Sequence, residues 1–230
     1  MNITTKAVTL TVAALLTATV SSATNPAAAS PSHTKPGTCT PTWSLVPVPD
    51  MPGDGAGLVS VTALPDGQIR SVGQINRPRI TPWVVHSAAG SISEAVQIPQ
   101  PVINDMTMAV TQSSFDSDDD GWVLASVDIS AVTVTERWHD NRWTMTPMPL
   151  PADPATTRIF LTDVVSLSAT DAWAVGGLTE SHAGVGAGVH MLGAVVEHWD
   201  GTAWTVVPNP VGQHEGTTLR GLSVVSPTDI

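Results

Sequence analysis

One short pattern of residues recurs along this chain and constrains its fold more than any other feature. Trp143–Pro149 reads WTMTPMP, Trp204–Pro210 reads WTVVPNP, and Trp43–Pro49 reads WSLVPVP. The surroundings recur as well, because LTDVVSLSATDAWAVG at Leu161–Gly176 is partly restated as LRGLSVVSPTDI at Leu219–Ile230. A repeat of roughly 50 to 60 residues that holds several short strands predicts side-by-side copies of one unit rather than a single globular core.

The clearest unit, Leu161–Pro210, divides into four short strands by its alternation of apolar and polar residues. The predicted strands are Leu161–Leu167, Ala172–Val175, Ala194–Trp199 and Ala203–Val207. We expect Gly176–Gly177 to close the second strand. We expect Asp200–Gly201 to form a type I′ hairpin turn, in which both central residues have positive φ.

Two preceding units are predicted to have the same four strands in a more degenerate form. The nearer unit has strands at Met106–Thr111, Trp122–Val127, Val132–Trp138 and Arg142–Thr146, with a tight turn at His139–Asn141. The first unit has strands at Leu58–Leu64, Gln68–Val72 and Trp83–His86, and a last strand ending at Ile98–Pro101. Three pairs of tryptophans correspond between the second and third units: Trp122 with Trp173, Trp138 with Trp199, and Trp143 with Trp204.

These strands predict an all-β fold, and the repeat favours a partial β-propeller of about three four-stranded blades, truncated at the C-terminus. The predicted units are 50–101, 102–149 and 150–210, with the start of another at 211–230. The repeat predicts a sequence such as WAVG after Ile230, so we expect further blades beyond this chain. The alternative, a complete small β-protein, would leave an apolar strand that stops in mid-motif.

The residues at Gly176–Gly177, Val195–Asp200 and Trp204–Pro208 supply a double glycine, an aromatic beside a turn aspartate, and a tryptophan followed by proline. This pattern resembles the kelch-type repeat of galactose oxidase-like β-propellers, and it is similar to repeats of secreted, often actinobacterial, proteins. The resemblance covers about 43–230 and implies blades that pack through their tryptophans. The chain departs from the pattern at Gly73, which lacks a second glycine, and at Trp122–Ala125, which has none.

The first residues have the order of a secretory signal peptide. An early lysine precedes an apolar stretch at Ala7–Val20, and small residues follow at Ser21–Ala23 and Ala27–Ala29. This order predicts a signal peptide at 1–29, a Pro/Ser/Thr-rich linker at 30–42 and an extracellular location. The alternative, a buried N-terminal helix, is disfavoured by the β-branched residues and prolines of this region.

The composition excludes several classes of protein. Cys39 is the one cysteine, so the chain has no internal disulfide. The chain has 9 Lys+Arg against 20 Asp+Glu, and the formal net charge of -11 repels phosphate backbones, which disfavours a nucleic-acid partner. After the signal peptide, no apolar segment is long enough to predict a membrane span.

An acidic run gives the one candidate metal site. Asp116, Asp118 and Asp120 alternate before a glycine, as in the opening of a calcium-binding loop. The twelfth position of that loop, usually a bidentate glutamate, is Val127. The run also aligns with the ordinary turn Ser168–Asp171. The sequence therefore leaves open two alternatives: a bound calcium ion as a cofactor, or a solvated acidic turn.

Three further residues are candidates for ligand binding. Trp83 has no counterpart in the other units, so it is a candidate for stacking on a sugar, whereas the matched tryptophans are predicted to be core residues. His182 and His190 lie in the third unit, but their spacing fits no compact zinc motif.

No catalytic residue is predicted. The count of Tyr 0 removes the tyrosine-radical copper site and the tyrosine nucleophile that propeller enzymes use, and carboxylates such as Asp163, Glu180 and Glu197 show no spacing that singles out an acid and a base. We therefore expect a secreted, non-catalytic repeat protein that binds a protein or a glycan. The alternatives are the N-terminal portion of an extracellular carbohydrate-active enzyme and a truncation product without function.

Overall fold

The computed structural model describes residues 45, 54–76, 80–88, 91–99, 108–127, 132–149, 151, 156–181, 189–211 and 214–224. Within these ranges the chain is all β-strand and loop, without a helix. Accordingly, the described part of the chain has no apolar helix of the length needed to cross a membrane. The predicted signal peptide, the linker and the Trp43 strand lie outside the described residues.

Twelve strands form three antiparallel sheets of four strands each. Sheet 1 contains β1 (Gly57–Ala63), β2 (Ile69–Ile75), β3 (Thr81–Ala88) and β4 (Ser91–Gln97). Sheet 2 contains β5 (Met108–Phe115), β6 (Asp120–Val127), β7 (Val132–His139) and β8 (Arg142–Thr146). Sheet 3 contains β9 (Thr157–Ser168), β10 (Asp171–Ser181), β11 (Val189–Trp199) and β12 (Trp204–Val207).

Each sheet is a meander in which consecutive strands are neighbours, because short turns can join only antiparallel strands. The first strands lie next to one another, since β5 contacts both β1 and β9. The prediction of three four-stranded units is confirmed. The arrangement is consistent with a partial β-propeller, in which the first strand of every blade lies innermost.

Two pairs of matched tryptophans occupy the same local structure. Trp138 pairs across its hairpin with Trp143, and Trp199 pairs in the same way with Trp204. The indole Nε1 of Trp138 donates to the carbonyl of Asp118 at 2.8 Å, and that of Trp199 donates to the carbonyl of Ala169 at 3.1 Å. The predicted alignment of the acidic run with the Ser168–Asp171 turn is therefore confirmed.

A bulge recurs in the first strand of every sheet. The pairing with the second strand skips Val59 in β1, Thr111 in β5 and Thr162 in β9. Two of these residues carry a hydroxyl that bonds the neighbouring strand: Thr111 Oγ1 donates to Leu124 O and Thr162 Oγ1 to Val175 O, both at 3.2 Å. An extra residue bends its strand and increases the local twist, so the three sheets share one curvature.

The structure corrects the expectation that glycines end the second strands. Gly176 lies inside β10, which continues to Ser181, and Gly73 lies inside β2. Both glycines face the bulge, where an added Cβ would lie 1.9 Å from Phe160 O at Gly176 and 2.2 Å from Gly57 O at Gly73. These glycines therefore permit a close approach between backbones within the sheet.

The structure confirms the tight turn at His139–Asn141 and corrects the prediction of a type I′ turn at Asp200–Gly201. Asp140 and Asn141 both have positive φ, at 51° and 58°, as a two-residue type I′ turn requires. At the Asp200–Gly201 pair only the glycine has positive φ, at 96°. The Asp200 carboxylate instead accepts bonds from the backbone N–H groups of Thr202 and Ala203, at 2.8 and 2.9 Å. The Thr202 hydroxyl, followed by these N–H groups, lowers the pKa of Asp200 to about 2.

The core lies between the sheets in two main clusters. The cluster between sheets 1 and 2 contains Leu64, Val72, Val84, Ile98, Val110, Phe115 and Val123. The cluster between sheets 2 and 3 contains Trp122, Leu124, Ile159, Leu161, Val164, Ala172, Ala174, Val195, Trp199 and Trp204. The space between neighbouring sheets is thus where these residues bury their apolar surface and where a ligand cavity could form.

Candidate functional site

The register of the second strand places three different residues at one equivalent position. In each sheet the bulge interrupts the pairing between the first and second strands. At the same distance from this interruption, the second strand carries Arg70 in sheet 1, Trp122 in sheet 2 and Trp173 in sheet 3. The residue that faces this position on the third strand is His86 in sheet 1, Arg137 in sheet 2 and His198 in sheet 3. What occupies this position determines how each sheet meets the next one.

Between sheets 2 and 3 this position is filled by a large aromatic ring. Trp122 is 0% exposed, and its ring centroid lies 4.9 Å from that of Trp199 and 4.8 Å from that of Trp204. The Arg137 guanidinium lies over both Trp122 and Trp199, at 5.5 and 5.2 Å. The tryptophan pair of sheet 3 is consequently buried.

Between sheets 1 and 2 the equivalent side chain is turned aside. Arg70 forms an ion pair with Asp118 of sheet 2, and Gln68 donates a second bond to Asp118 at 2.9 Å. The tryptophan pair of sheet 2, Trp138 and Trp143, therefore lacks a covering ring and is only partly buried. A space opens at the place that Trp122 fills between the other two sheets.

That space is a pocket of about 270 Å³ between sheets 1 and 2. The side chains that line it are Arg70, Val84, His86, Glu94, Val96, Phe115, Trp138, Asn141 and Trp143. The rings of Trp138 and Trp143 lie 5.2 Å apart at 46°, and Phe115 meets Trp143 edge to face at 6.4 Å. The pocket thus combines an aromatic wall from sheet 2 with polar groups from sheet 1.

The polar groups of sheet 1 form a row across three strands. Arg70 on β2 pairs with His86 on β3, which pairs with Glu94 on β4, the edge strand. Burial, followed by the nearby Arg70 charge, lowers the pKa of His86 below its usual value of 6.5. His86 is therefore a neutral imidazole at neutral pH, with one donor and one acceptor nitrogen.

The structure separates the three aspartates of the predicted calcium loop. Asp118 is engaged by Arg70, and the buried Asp120 is bound by Arg137 at 2.6 Å. Burial, followed by the charge of Asp120, raises the pKa of Asp116. Among the described residues no group of three acidic, histidine or cysteine side chains is placed to hold a metal ion. The calcium hypothesis gains no support from this geometry, and Asp118 and Asp120 instead anchor arginines.

Two other predicted binding residues, Trp83 and His190, are not among the residues that line the pocket. Trp83 is partly buried on β3 opposite Gly73, and its Nε1 is buried without a hydrogen-bond partner among the described residues. His190 is exposed on β11 and pairs across the ladder with Glu180. His182 lies outside the described residues. The structure therefore does not bring Trp83 and His190 together into one site.

Sequence reasoning missed the pocket residues as a group. The sequence signal was the substitution of Arg70 for a tryptophan at the position of Trp122 and Trp173. The equivalence is visible only in the strand register. Arg70, which follows the turn at Pro65–Gly67, is the second residue of β2, whereas Trp122 and Trp173 are each the third residue of their strands. The prediction that Trp138 and Trp143 are core residues is confirmed in part. Both side chains pack against the core cluster between sheets 1 and 2, but both remain partly exposed.

Two buried glutamates also occupy equivalent positions. Glu136 pairs with Val123 on β6, and Glu197 pairs with Ala174 on β10. They are 3% and 0% exposed, and neither carboxylate has a hydrogen-bond partner in the described part of the chain. Burial raises the pKa of each to about 7. Both residues face inter-sheet clusters and not the pocket lining.

Comparisons of the chain with protein-family models, with curated proteins and with solved structures found no match. The kelch-type resemblance accordingly stays a prediction.

Proposed function

We propose that this chain is an exported, non-catalytic binding protein that holds a small saccharide in the pocket between sheets 1 and 2. The observation that carries the proposal is the incompletely covered tryptophan pair, Trp138 and Trp143, facing a row of polar side chains across a cavity. The predicted signal peptide supports an extracellular location.

The chemistry of the pocket matches the two sides of a sugar ring. The C–H groups of a pyranose make one apolar face, which packs on aromatic rings, while its hydroxyls need hydrogen-bond partners. His86 and Asn141 supply donors and acceptors on opposite walls. Pockets for drug-sized ligands span about 300–1,000 Å³, so a cavity of 270 Å³ suits one or two small rings.

The pocket lining favours binding over hydrolysis. Glycoside hydrolysis in most enzymes uses two carboxyl groups that flank the bond to be cleaved. Among the described residues that line the pocket, Glu94 supplies the single carboxylate. A flat protein partner is also disfavoured, since the aromatic surface lies inside a concavity and not on an exposed face.

Titration of the full chain with simple saccharides tests the proposal. We expect shifts of the Trp138 and Trp143 indole N–H resonances with an affinity of about millimolar, and weaker binding for His86→Ala. His198→Ala is the matched control, because His198 holds the equivalent position in sheet 3, facing away from the pocket. If no saccharide shifts these resonances, or if both variants lose binding equally, the proposal is wrong.

A further inference from the structure

The titratable side chains that line the pocket differ in whether they carry a charge and whether a partner neutralises it. Arg70 is 4% exposed and is neutralised by its ion pair with Asp118. His86 is uncharged at neutral pH because it is half-buried. Glu94 is exposed on the edge strand, and no ion pair to it is formed within the described residues. Among the described residues that line the pocket, Glu94 is therefore the one charged side chain without an ion pair.

Like Glu94, the aromatic wall favours a positively charged ligand. The faces of tryptophan rings carry negative electrostatic potential, and they attract a cation within about 6 Å of the ring centre. Trp138 and Trp143 both line the pocket, and their ring centroids lie 5.2 Å apart with the ring planes at 46°. A positive group between these rings and Glu94 would be stabilised from both sides.

Other ligand chemistries use this pocket less well. A sugar acid would place its carboxylate near Glu94 on a chain whose formal net charge is -11. A neutral sugar would leave Glu94 without a charged partner. A quaternary ammonium compound would use the rings and the carboxylate but would offer no hydrogen bond to the side-chain amide of Asn141.

Building on the proposed saccharide function, we propose that the ligand is an amino sugar. Its protonated amine lies between Glu94 and the Trp138–Trp143 pair, and its hydroxyls bond His86 and Asn141. The relevant chemical class is a hexosamine with a free amine, as a monosaccharide or at the end of a short oligosaccharide.

Calorimetric titration of the full chain with glucosamine, glucose and N-acetylglucosamine tests this inference. At about pH 7, where His86 is uncharged, most of the free amine is protonated, whereas the other two sugars are neutral. We expect glucosamine to bind at least about ten-fold more tightly than either, as a charge-assisted hydrogen bond provides. Glu94→Gln should abolish this preference while keeping the affinity for glucose. Glu215→Gln, the same change at an exposed glutamate outside the pocket lining, should keep the preference.

The outcomes separate the inference from the function on which it rests. Equal binding of the three sugars, or a preference that persists in Glu94→Gln, overturns the amino-sugar inference and leaves the saccharide function intact. Choline that binds as tightly as glucosamine, in a manner dependent on Glu94, also overturns it in favour of a quaternary ammonium ligand. Failure of every sugar to bind overturns the proposed function itself.

Discussion

The two interfaces between the sheets are built on the same plan, and their main difference lies at one position of the second strand. Between sheets 2 and 3, Trp122 covers Trp199 and Trp204 and leaves a closed core. Between sheets 1 and 2, the equivalent Arg70 bonds to Asp118 and leaves Trp138 and Trp143 lining a cavity. In this repeated architecture, a pocket can thus arise where the repeat omits a core residue.

On the outer face of sheet 3, the position equivalent to Arg70 and Trp122 is occupied by Trp173, in a third kind of surroundings. Trp173 stacks on His198 at 4.3 Å, and its indole N–H donates to Asp171 at 3.0 Å. It remains partly exposed, whereas Trp122 is fully buried. The prediction that these two tryptophans correspond is therefore correct for the register, but their surroundings differ because no described sheet packs over Trp173.

The largest expected effect comes from removing the ring that closes the second interface. Trp122→Ala should lower the free energy of unfolding by about 3–5 kcal/mol, because it leaves a cavity beneath two buried tryptophans. Trp173→Ala, the matched control, should cost only about 1 kcal/mol, since it loses a partly exposed stack and one hydrogen bond. Urea unfolding of both variants measures the difference. Equal losses would contradict the assignment of Trp122 as the residue that closes the interface.

The buried glutamates provide the next largest effect, and it depends on pH. The pKa of Glu136 and of Glu197 is raised from 4.5 to about 7 on folding. Below pH 4.5 both the folded and the unfolded chain hold these protons, so burial carries no charge penalty. As pH rises toward 7 the unfolded chain releases its protons first, and the folded state loses about 3 kcal/mol of relative stability per group.

Glutamine variants test this behaviour. Glu197→Gln and Glu136→Gln should each stabilise the fold by up to about 3 kcal/mol at about pH 8 and should change little at about pH 4. The exposed Glu94, changed to glutamine, should have little effect on stability at either pH. Denaturant unfolding at the two pH values is the measurement, and a gain that does not vary with pH would show that the buried carboxylates are not the cause.

The sequence predicted those parts of the fold that depend on local patterns. The alternation of residues and the turn signals located four strands per unit, and β8 has the predicted bounds, Arg142–Thr146. Local patterns were insufficient where a side chain competes with the backbone. Asp200 prefers to bond Thr202 and Ala203 with its carboxylate, so the Asp-Gly pair does not adopt the turn its residues favour.

The remaining features depend on contacts between strands that are distant in sequence. Gly176 was interpreted as a strand terminus, but its role is set by the carbonyl of Phe160 on the neighbouring strand. The pocket depends on Arg70 reaching Asp118 in another sheet. The composition and periodicity of a segment do not indicate which distant strand it will contact. The candidate site is therefore recognisable only once the pairing of the strands is known.

The smallest predicted effect separates the two bulges of sheets 2 and 3. Thr111 and Thr162 make the same bond to the second strand, but Thr162 Oγ1 also lies 2.6 Å from Leu219 O, in the segment 214–224. Thr111→Val should therefore cost about 0.5 kcal/mol, and Thr162→Val about 1 kcal/mol, because the single hydroxyl proton of Thr162 makes the shorter bond to Leu219 O. Hydrogen exchange of the Leu219 amide, which donates to Gly176 O at 3.1 Å, should accelerate only in Thr162→Val. Unchanged exchange in that variant would mean that this segment is held on sheet 3 by its other bonds, such as the one from Leu222 N to Asp163.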